Sequence, residues 1–273
     1  MKKHILYALI CAAGLSMYSL PALGWGQEGH RIIAKIAYDH LHRGVRKKVD
    51  KISGTQGIIH YANWPDEIKS DTIYPTSYDW HFQDFNGGMS DSAVVAALSD
   101  YPQEGGNLFR AMDSLVKEAN ACPRSLPKEE KDRVRLNHTL RFIVHLAGDR
   151  YCPMHTAHMD DRGGNDVKMK WFGRDTRLHT VWDTHLIESQ GYSYTEYVRF
   201  LELKYRHRKK AIEQMTDEEL LLHNYHFTEA IYEYQQTWDG NTYHYIYRWH
   251  EPMEEQLYIA GIRLAQLLNK IYK

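Results

Sequence analysis

Apolar residues recur at helical spacing along most of the chain. In the segment that begins at His30, Ile32, Ile33, Ile36 and Ala37 fall on one face of a helix. The same spacing predicts further helices, over residues 108–119, 128–146, 194–204, 216–236 and 253–271. The sequence contains no convincing run of alternating apolar and polar residues, and no repeat or linker. The pattern therefore predicts a single, mainly α-helical domain.

Two stretches between these helices predict irregular structure. Residues 78–84 are rich in aromatic side chains and are expected to be extended, and residues 86–106 are rich in Gly, Ser and Asp and are expected to form a loop. Just before them, Pro65 follows Trp64 in an early helical position, which predicts the start of a helix that carries Asp66.

Polar residues interrupt the apolar pattern where they can act together. His145 and Asp149 are four residues apart in an apolar helical pattern, and His179 and Asp183 repeat that spacing, with His155 between the two pairs. Side chains four residues apart leave one face of a helix. Imidazole and carboxylate groups suit Zn²⁺ where thiolates are absent. One such pair commonly forms only a surface hydrogen bond or a satisfied core position, but two pairs and a fifth candidate ligand favour a metal site.

The start of the chain predicts an export signal. A Lys-rich start precedes an apolar run over residues 5–20, which is too short to span a bilayer comfortably. Ala22 and Gly24 place small residues at the −3 and −1 positions of a cleavage site. We therefore expect residues 1–24 to be a signal peptide and residues 25–273 to form the mature domain. Its expected location is periplasmic or extracellular, without a membrane anchor.

Cleavage after Gly24 would make Trp25 the first residue of the mature chain. A free α-amine and its own carbonyl oxygen can chelate a metal ion, and the amine pKa of about 7.7–8.0 lets a zinc ion displace the proton. His30 follows a Gly-bounded turn and is close enough in sequence to serve the same ion. The alternative interpretation is a processed terminus beside an ordinary helical histidine.

Composition and charge narrow the classes of partner. The chain has 273 residues, of which 43% are hydrophobic and 25% charged, as in ordinary soluble globular proteins. The formal net charge of −1 argues against a broad basic surface for duplex nucleic acid, although bound metal ions could supply the positive charge that a nucleic-acid substrate needs. In an exported protein Cys122 and Cys152 could form a disulfide, or Cys152 could be a thiolate ligand near His155.

Short motifs spread along the mature chain resemble those of one known family, the S1/P1 nucleases. The motifs are Trp-Gly and Gly-His at 25–30, Trp-x-Asp-Glu at 64–67, His-Phe-x-Asp at 81–84, His-x-x-Gly-Asp at 145–149, Pro-x-His at 153–155, Gly-Gly-Asn at 163–165 and Leu-His-x-x-Trp-Asp at 178–183. The resemblance covers essentially the whole mature chain. It implies a mainly α, single-domain phospholipase C/P1 nuclease-like helical fold with a trinuclear zinc site.

Ligands and active-site residues follow from this resemblance, position by position. One zinc ion would be bound by Asp66, His81, His145 and Asp149, a second by the Trp25 amine and carbonyl, His30 and a bridging Asp149, and a third by His155, His179 and Asp183. Lys69 would lie near the scissile phosphate. Asp84 and Asn165 would be polar catalytic residues, and Phe82 would stack on a base.

The activity that the resemblance implies is hydrolysis of P–O3′ bonds in single-stranded DNA and RNA and in 3′-mononucleotides, with 5′-phosphorylated products. No stable protein partner is expected. The sequence departs from the commoner family wording at residues 151–155, where Tyr-Cys-Pro-Met-His replaces Gln-Pro-Leu-His, and at Pro65, which replaces Ala. Neither departure removes a ligand. A zinc-dependent phospholipase C and a secreted, non-catalytic zinc-binding protein are the alternatives.

Overall fold

Helices dominate the fold, which a computed structural model describes for residues 25–99, 105–121 and 126–273. The α-helices are α1 Gln27–Asp39, α2 Arg43–Ser53, α3 Gly57–His60, α4 Trp64–Ile68, α5 Asp91–Ser99, α6 Leu108–Ala121, α7 Glu130–Asp149, α8 Leu178–Thr180, α9 Leu186–Glu188, α10 Tyr194–Tyr205, α11 Lys209–Gln214, α12 Asp217–Thr237 and α13 Thr242–Ile271. The predicted mainly α class is confirmed. Within the described ranges, no helix is both long and apolar enough to cross a membrane.

A small antiparallel hairpin leads directly into the second histidine–aspartate pair. Its strands are β1 Lys168–Trp171 and β2 Arg174–Arg177, with Lys168 opposite Arg177. Phe172 (φ 48°) and Gly173 (φ 79°) form the turn, and positive φ at both central residues matches the twist of a two-residue hairpin. The sequence did not predict these strands, because four alternating residues are too few to distinguish from a loop.

The core forms where α1 crosses α13 and α7 packs against both. Ile32, Ile33 and Ile36 of α1 are fully buried, as their spacing predicts. Gly261 of α13 allows the close crossing, since a Cβ there would lie 2.6 Å from Ile36. The C-terminal end of α7 reaches the middle of this core.

Three predictions of local structure were wrong. Residues 86–106 include α5, where Val94 is fully buried and the Ala- and Val-rich run packs against α12. Residues 78–84 are not simply extended, because a 3₁₀ turn covers Ser77–Trp80. The closing helix begins at Thr242 rather than Met253: the Asn241 side chain accepts a hydrogen bond from the Tyr243 N–H at 2.9 Å and caps the earlier start.

Candidate metal centre

The last turn of α7 presents a histidine and an aspartate to the interior. His145 and Asp149 leave one face of the helix, and both are fully buried. Buried ionisable side chains are rare unless they are paired or bind a metal. The helix therefore delivers two donor groups to a site enclosed by the core.

The second pair occupies a helix with altered register. His179 lies in α8, and Asp183 lies in a π-helical segment, Val181–His185. The pair still meets, with His179 Nε2 3.0 Å from Asp183 Oδ2. Segments of π-helix occur frequently at functional sites, where they re-aim side chains.

Four donor atoms lie close together beside α7. His81 Nδ1 lies 3.0 Å from His145 Nε2, and Asp149 Oδ2 lies 3.1 and 3.3 Å from these two nitrogens. Asp66 Oδ1 lies 3.7 Å from each nitrogen. Donor atoms about 2.0–2.1 Å from a tetrahedral zinc ion would be about 3.3–3.4 Å apart. The three distances among His81, His145 and Asp149 are close to this length, and the two distances to Asp66 Oδ1 are longer.

Asp149 also faces a second donor group on its other oxygen. His30 Nε2 lies 3.2 Å from Asp149 Oδ1, and the His30 ring stacks on His145 with centroids 3.8 Å apart. Trp25 is fully buried. Its neighbour Gly26 donates its N–H to the Asp183 carbonyl at 2.6 Å, which places this end of the segment beside the same region. The carboxylate of Asp149 is thus placed to bridge two ions.

A third donor group also lies next to Asp149, whose Oδ1 is 3.7 Å from His155 Nδ1. His155 Nε2 is 3.8 Å from Asp183 Oδ1, and the His155 and His179 rings are 5.2 Å apart. His155 is carried by a 3₁₀ turn, Pro153–His155, which directs the chain back toward the end of α7. All the histidines and aspartates in the predicted ligand set therefore lie around one buried region.

Backbone carbonyls determine which nitrogen of three histidines is available. The Nδ1–H groups of His145, His155 and His179 donate to the carbonyls of Ala62 at 2.7 Å, His81 at 2.5 Å and Gly163 at 2.6 Å. A carbonyl can only accept, so each Nδ1 carries a proton and each neutral ring has its Nε2 lone pair free. Such hydrogen bonds typically orient metal-binding histidines.

Several inward-facing atoms make no well-aligned hydrogen bond in the described structure, although His30 Nε2 and His179 Nε2 each lie close to a carboxylate oxygen, at 3.2 and 3.0 Å. They are Asp66 Oδ1, Asp149 Oδ1, Asp183 Oδ2, His30 Nε2, His155 Nε2 and His179 Nε2. Burying unpartnered polar atoms is costly, and carboxylate oxygens without donors are compensated by a cation. The donor set, of nitrogen and oxygen atoms with a bridging carboxylate, fits divalent transition-metal ions such as zinc.

The electrostatics of the region favour positive charge. Burial opposes ionisation of Asp149, yet His145 and His155 outweigh that effect and hold the Asp149 pKa well below its usual range. Burial also lowers the His145 pKa, but Asp149 and Asp66 prevail and raise it to about 9. His30 shows the reverse balance, because burial and His145 together lower its pKa. The carboxylates thus favour positive charge at the end of α7.

A cavity of about 440 Å³ opens beside the third donor group. It is lined by Tyr78, Phe82, Asp84, Gly105, Met154, His155, Met159, Arg162, Asn165 and His179. Three predicted active-site residues, Phe82, Asp84 and Asn165, thus share a cavity with two predicted ligands. Burial raises the pKa of Asp84 to about 8, and its Oδ1 has no partner. The remaining predicted residue, Lys69, does not line this cavity; its Nζ lies 3.8 Å from Asp66 Oδ1.

The cavity also contains residues that the motifs did not indicate. Tyr78 is half-exposed, and its ring meets Phe82 edge-on with centroids 6.1 Å apart. Arg162 has a left-handed backbone with φ 56° and pairs with Asp166 at 3.1 Å. The aromatic run from Tyr78 to Phe82 was the sequence signal that could have indicated Tyr78. Nothing in the sequence indicated Arg162.

Cys152 is a free thiol buried beside the third donor group. Its Sγ donates to Asp183 Oδ1 at 3.4 Å, and burial raises its pKa well above the usual range. The Cys152 sulfur lies within 4.8 Å of ligand atoms of His155 and Asp183, so it is close enough to share a metal ion with them. The other cysteine of the proposed disulfide, Cys122, lies outside the described residues.

Comparison with known proteins assigns the family. The S1/P1 Nuclease family model matches residues 25–273. The chain belongs to the S1/P1 nuclease family. As a member it is a hydrolase of the nuclease class, which agrees with a buried His/Asp centre beside an open cavity.

Named relatives are distant but extend over much of the chain. Endonuclease 3 of Arabidopsis thaliana is 26% identical over 281 residues, covering 92% of this chain and 90% of that protein. Nuclease S1 of Aspergillus oryzae is 29% identical over 189 residues, covering 68% of this chain and 62% of that protein. Endonuclease 2 of Arabidopsis thaliana is 26% identical over 179 residues, covering 63% and 60%. The match thus spans less than two thirds of some relatives and nearly all of another.

Proposed function

We propose that the protein is an exported, zinc-dependent endonuclease and 3′-nucleotidase. Its substrates are single-stranded DNA and RNA and 3′-mononucleotides, cleaved at P–O3′ to give 5′-phosphorylated products. The observation that carries the proposal is the set of donor atoms on His81, His145 and Asp149, which lie 3.0–3.3 Å apart, with Asp66 Oδ1 3.7 Å from both histidine nitrogens. The names of the relatives Nuclease S1 and Endonuclease 3 support the choice of a nucleic-acid substrate.

Three zinc ions are proposed, held by ligands from six separate segments of the chain. The first ion takes Asp66, His81, His145 and Asp149; the second takes the Trp25 amine and carbonyl, His30 and Asp149; and the third takes His155, His179 and Asp183. When bound, such ions activate water near neutral pH and neutralise charge on phosphate oxygens. The unpartnered buried atoms of these residues support the assignment.

The protein's own residues bind and orient the substrate. Phe82 stacks on an unpaired base, which favours single strands and tolerates any sequence. Lys69, beside Asp66, neutralises charge that develops on the phosphate oxygens. Asp84 and Asn165 face the same cavity as Phe82 and are assigned to polar contacts with the nucleotide.

Export supplies one of the proposed ligands. Residues 1–24 form the signal peptide in this proposal, and their removal liberates the Trp25 amine. An amide nitrogen is a poor metal ligand, so the second ion depends on cleavage after Gly24. The burial of Trp25 next to Asp183 supports a terminus that lies at the site rather than outside it.

Metal analysis and a substrate panel on signal-cleaved protein test the proposal. After reconstitution with zinc we expect about three ions per chain, and cleavage of single-stranded DNA, single-stranded RNA and 3′-AMP but not of phosphatidylcholine. The Asp149→Asn variant should bind fewer ions and lose the activity. Fewer than two ions per wild-type chain would contradict the metal assignment. Hydrolysis of phosphatidylcholine alone would identify a phospholipase C, and zinc binding without any hydrolysis would identify a non-catalytic protein.

A further inference from the structure

A turn with left-handed backbone conformation is hydrogen-bonded to His179 of the third donor group. Arg162, Gly163 and Gly164 have φ of 56°, 65° and 78°. The Gly163 carbonyl accepts the His179 Nδ1–H at 2.6 Å, and the His179 N–H donates to the Gly164 carbonyl at 3.3 Å. The orientation of the His179 ring therefore depends on this turn keeping its conformation.

The turn is tight, so a small displacement would disturb it. A Cβ at Gly163 would lie 2.6 Å from the Met154 carbonyl, and one at Gly164 would lie 3.0 Å from Met154 Sδ. Three consecutive residues with positive φ are unusual, because L-residues such as Arg162 pay a steric penalty in that region. Such a backbone persists only where surrounding contacts hold it.

Asp161 and Tyr232 provide those contacts. Asp161 Oδ1 accepts the Gly164 N–H at 2.7 Å and the Tyr232 hydroxyl at 2.9 Å. Burial and the neighbouring Asp161 raise the Tyr232 pKa, which keeps the hydroxyl protonated as a donor. A chain of hydrogen bonds thus runs from α12 through one carboxylate oxygen to the turn and then to His179.

The position of the Tyr232 ring is also fixed by a neighbouring side chain. It stacks on His158 with centroids 3.8 Å apart and planes 17° from parallel. His158 Nε2 lies 2.5 Å from Glu229 Oε1, and the other oxygen of Glu229 accepts the Gly88 N–H at 2.9 Å. Glu229 and Tyr232 are three residues apart on one face of α12, so a rigid helix anchors both ends of the 158–164 segment.

We propose that Asp161 and Tyr232 are positioning residues, which hold the 162–164 turn so that the His179 imidazole faces the third ion. The inference rests on the proposed function for the ion itself. It assigns no catalytic contact to either residue. Hydrogen bonds that orient metal-binding histidines commonly change metal affinity by about 10- to 100-fold when removed.

Two readouts on the full-length mature protein test the inference. The first is the His179 Nδ1–H resonance in ¹H–¹⁵N spectra of metal-free protein, which reports the hydrogen bond to Gly163 without any ion. The second is zinc affinity, measured by competition with a chromophoric chelator. The Asp161→Ala variant should lose the protected resonance and bind one of the three ions about 10- to 100-fold more weakly. The other two ions should keep their affinity.

Conservative variants separate positioning from general destabilisation. Asp161→Asn keeps an acceptor oxygen for both donors and should restore the resonance and the affinity. Tyr232→Phe should lower the affinity for the same zinc ion by about 3- to 10-fold, because it removes only part of the orienting interaction. Tyr234→Phe is the matched control. Tyr234 lies on α12 like Tyr232, but its ring packs against Tyr245 and Trp249 of α13, so this variant should leave both readouts unchanged.

The outcomes distinguish this inference from the proposed function. An Asp161→Ala protein that keeps the His179 resonance would overturn the inference. So would a Tyr232→Phe protein that matches Tyr234→Phe in both readouts, which also covers the case in which the alanine variant does not fold. Wild-type protein that binds no zinc would instead refute the proposed function, and the metal-free resonance would still decide the role of Asp161.

Discussion

Removal of the proposed metal ions should lower the free energy of unfolding by several kcal/mol. Asp149 and Asp183 are fully buried beside the partly buried Asp66, and six inward-facing nitrogen and oxygen atoms of the site make no well-aligned hydrogen bond in the described structure. At about 1–3 kcal/mol for each unsatisfied buried group, the set represents on the order of 10 kcal/mol that cations can relieve. Protonation and local rearrangement in the metal-free protein will recover part of this energy.

Thermal unfolding in excess zinc and in EDTA measures the effect. With free zinc at about 1,000 times its dissociation constant, mass action stabilises the native state by about 4 kcal/mol per site. For a domain of this size, 1 kcal/mol shifts the unfolding midpoint by about 2–4 °C. We therefore expect EDTA to lower the midpoint by about 8–16 °C for one site, and by more if all three ions are removed.

Two variants identify the source of the shift. Asp149→Asn removes the carboxylate that faces both His30 and His145, so the difference between zinc and EDTA should fall by at least half. Asp175→Asn changes a carboxylate whose side chain is 90% exposed on the hairpin, and it should keep the full difference. Identical midpoints for wild-type protein in zinc and in EDTA would refute the reasoning.

Other consequences are open to direct measurement. One residue retained before Trp25 should remove about one zinc ion per chain; equal zinc content in the extended and cleaved proteins would rule this out. Phe82→Ala should raise KM for single-stranded oligonucleotides by about 5- to 150-fold, from base stacking of about 1–3 kcal/mol, whereas the surface change Phe200→Ala should not. Glu254 is buried; burial opposes its ionisation, but His250 and Lys204 lower its pKa. Its stabilisation is present above the unfolded pKa of about 4.3 and is lost as pH falls through the lower folded value. Glu254→Gln should therefore cost about 1–3 kcal/mol at pH 7 and progressively less in acid. Urea titrations at several pH values, with Glu251→Gln as the exposed control, would show this, and a cost independent of pH would contradict it.

Local geometry explains why part of the centre could be predicted from sequence. An interval of four residues determines that two helical side chains share a face, so His145 and Asp149 could be paired without a fold. Apolar periodicity predicted α1, α6, α10 and α12 for the same reason. The predicted loop over residues 86–106 failed, because α5 depends on packing against α12 and its pattern is weak.

Distant contacts were accessible only through the family resemblance or the tertiary structure. Asp66 and His81 come from segments with no helical relation to Asp149, and nothing local in the chain places His81 Nδ1 3.1 Å from Asp149 Oδ2. The resemblance named these residues, but the structure supplied their distances, burial and hydrogen-bond partners. It also separated Lys69 from the cavity that holds Phe82.

The sequence by itself determined the helical class and the two local histidine–aspartate pairs, and its motifs indicated the candidate donor residues. Only the tertiary structure decided which imidazole nitrogens face inward, because carbonyls of Ala62, His81 and Gly163 are brought to them by other parts of the chain. It likewise joined Tyr232 to Asp161, across 71 residues. Helical periodicity is a property of neighbouring residues, whereas the hydrogen bonds that aim a ligand form only after distant segments have packed together.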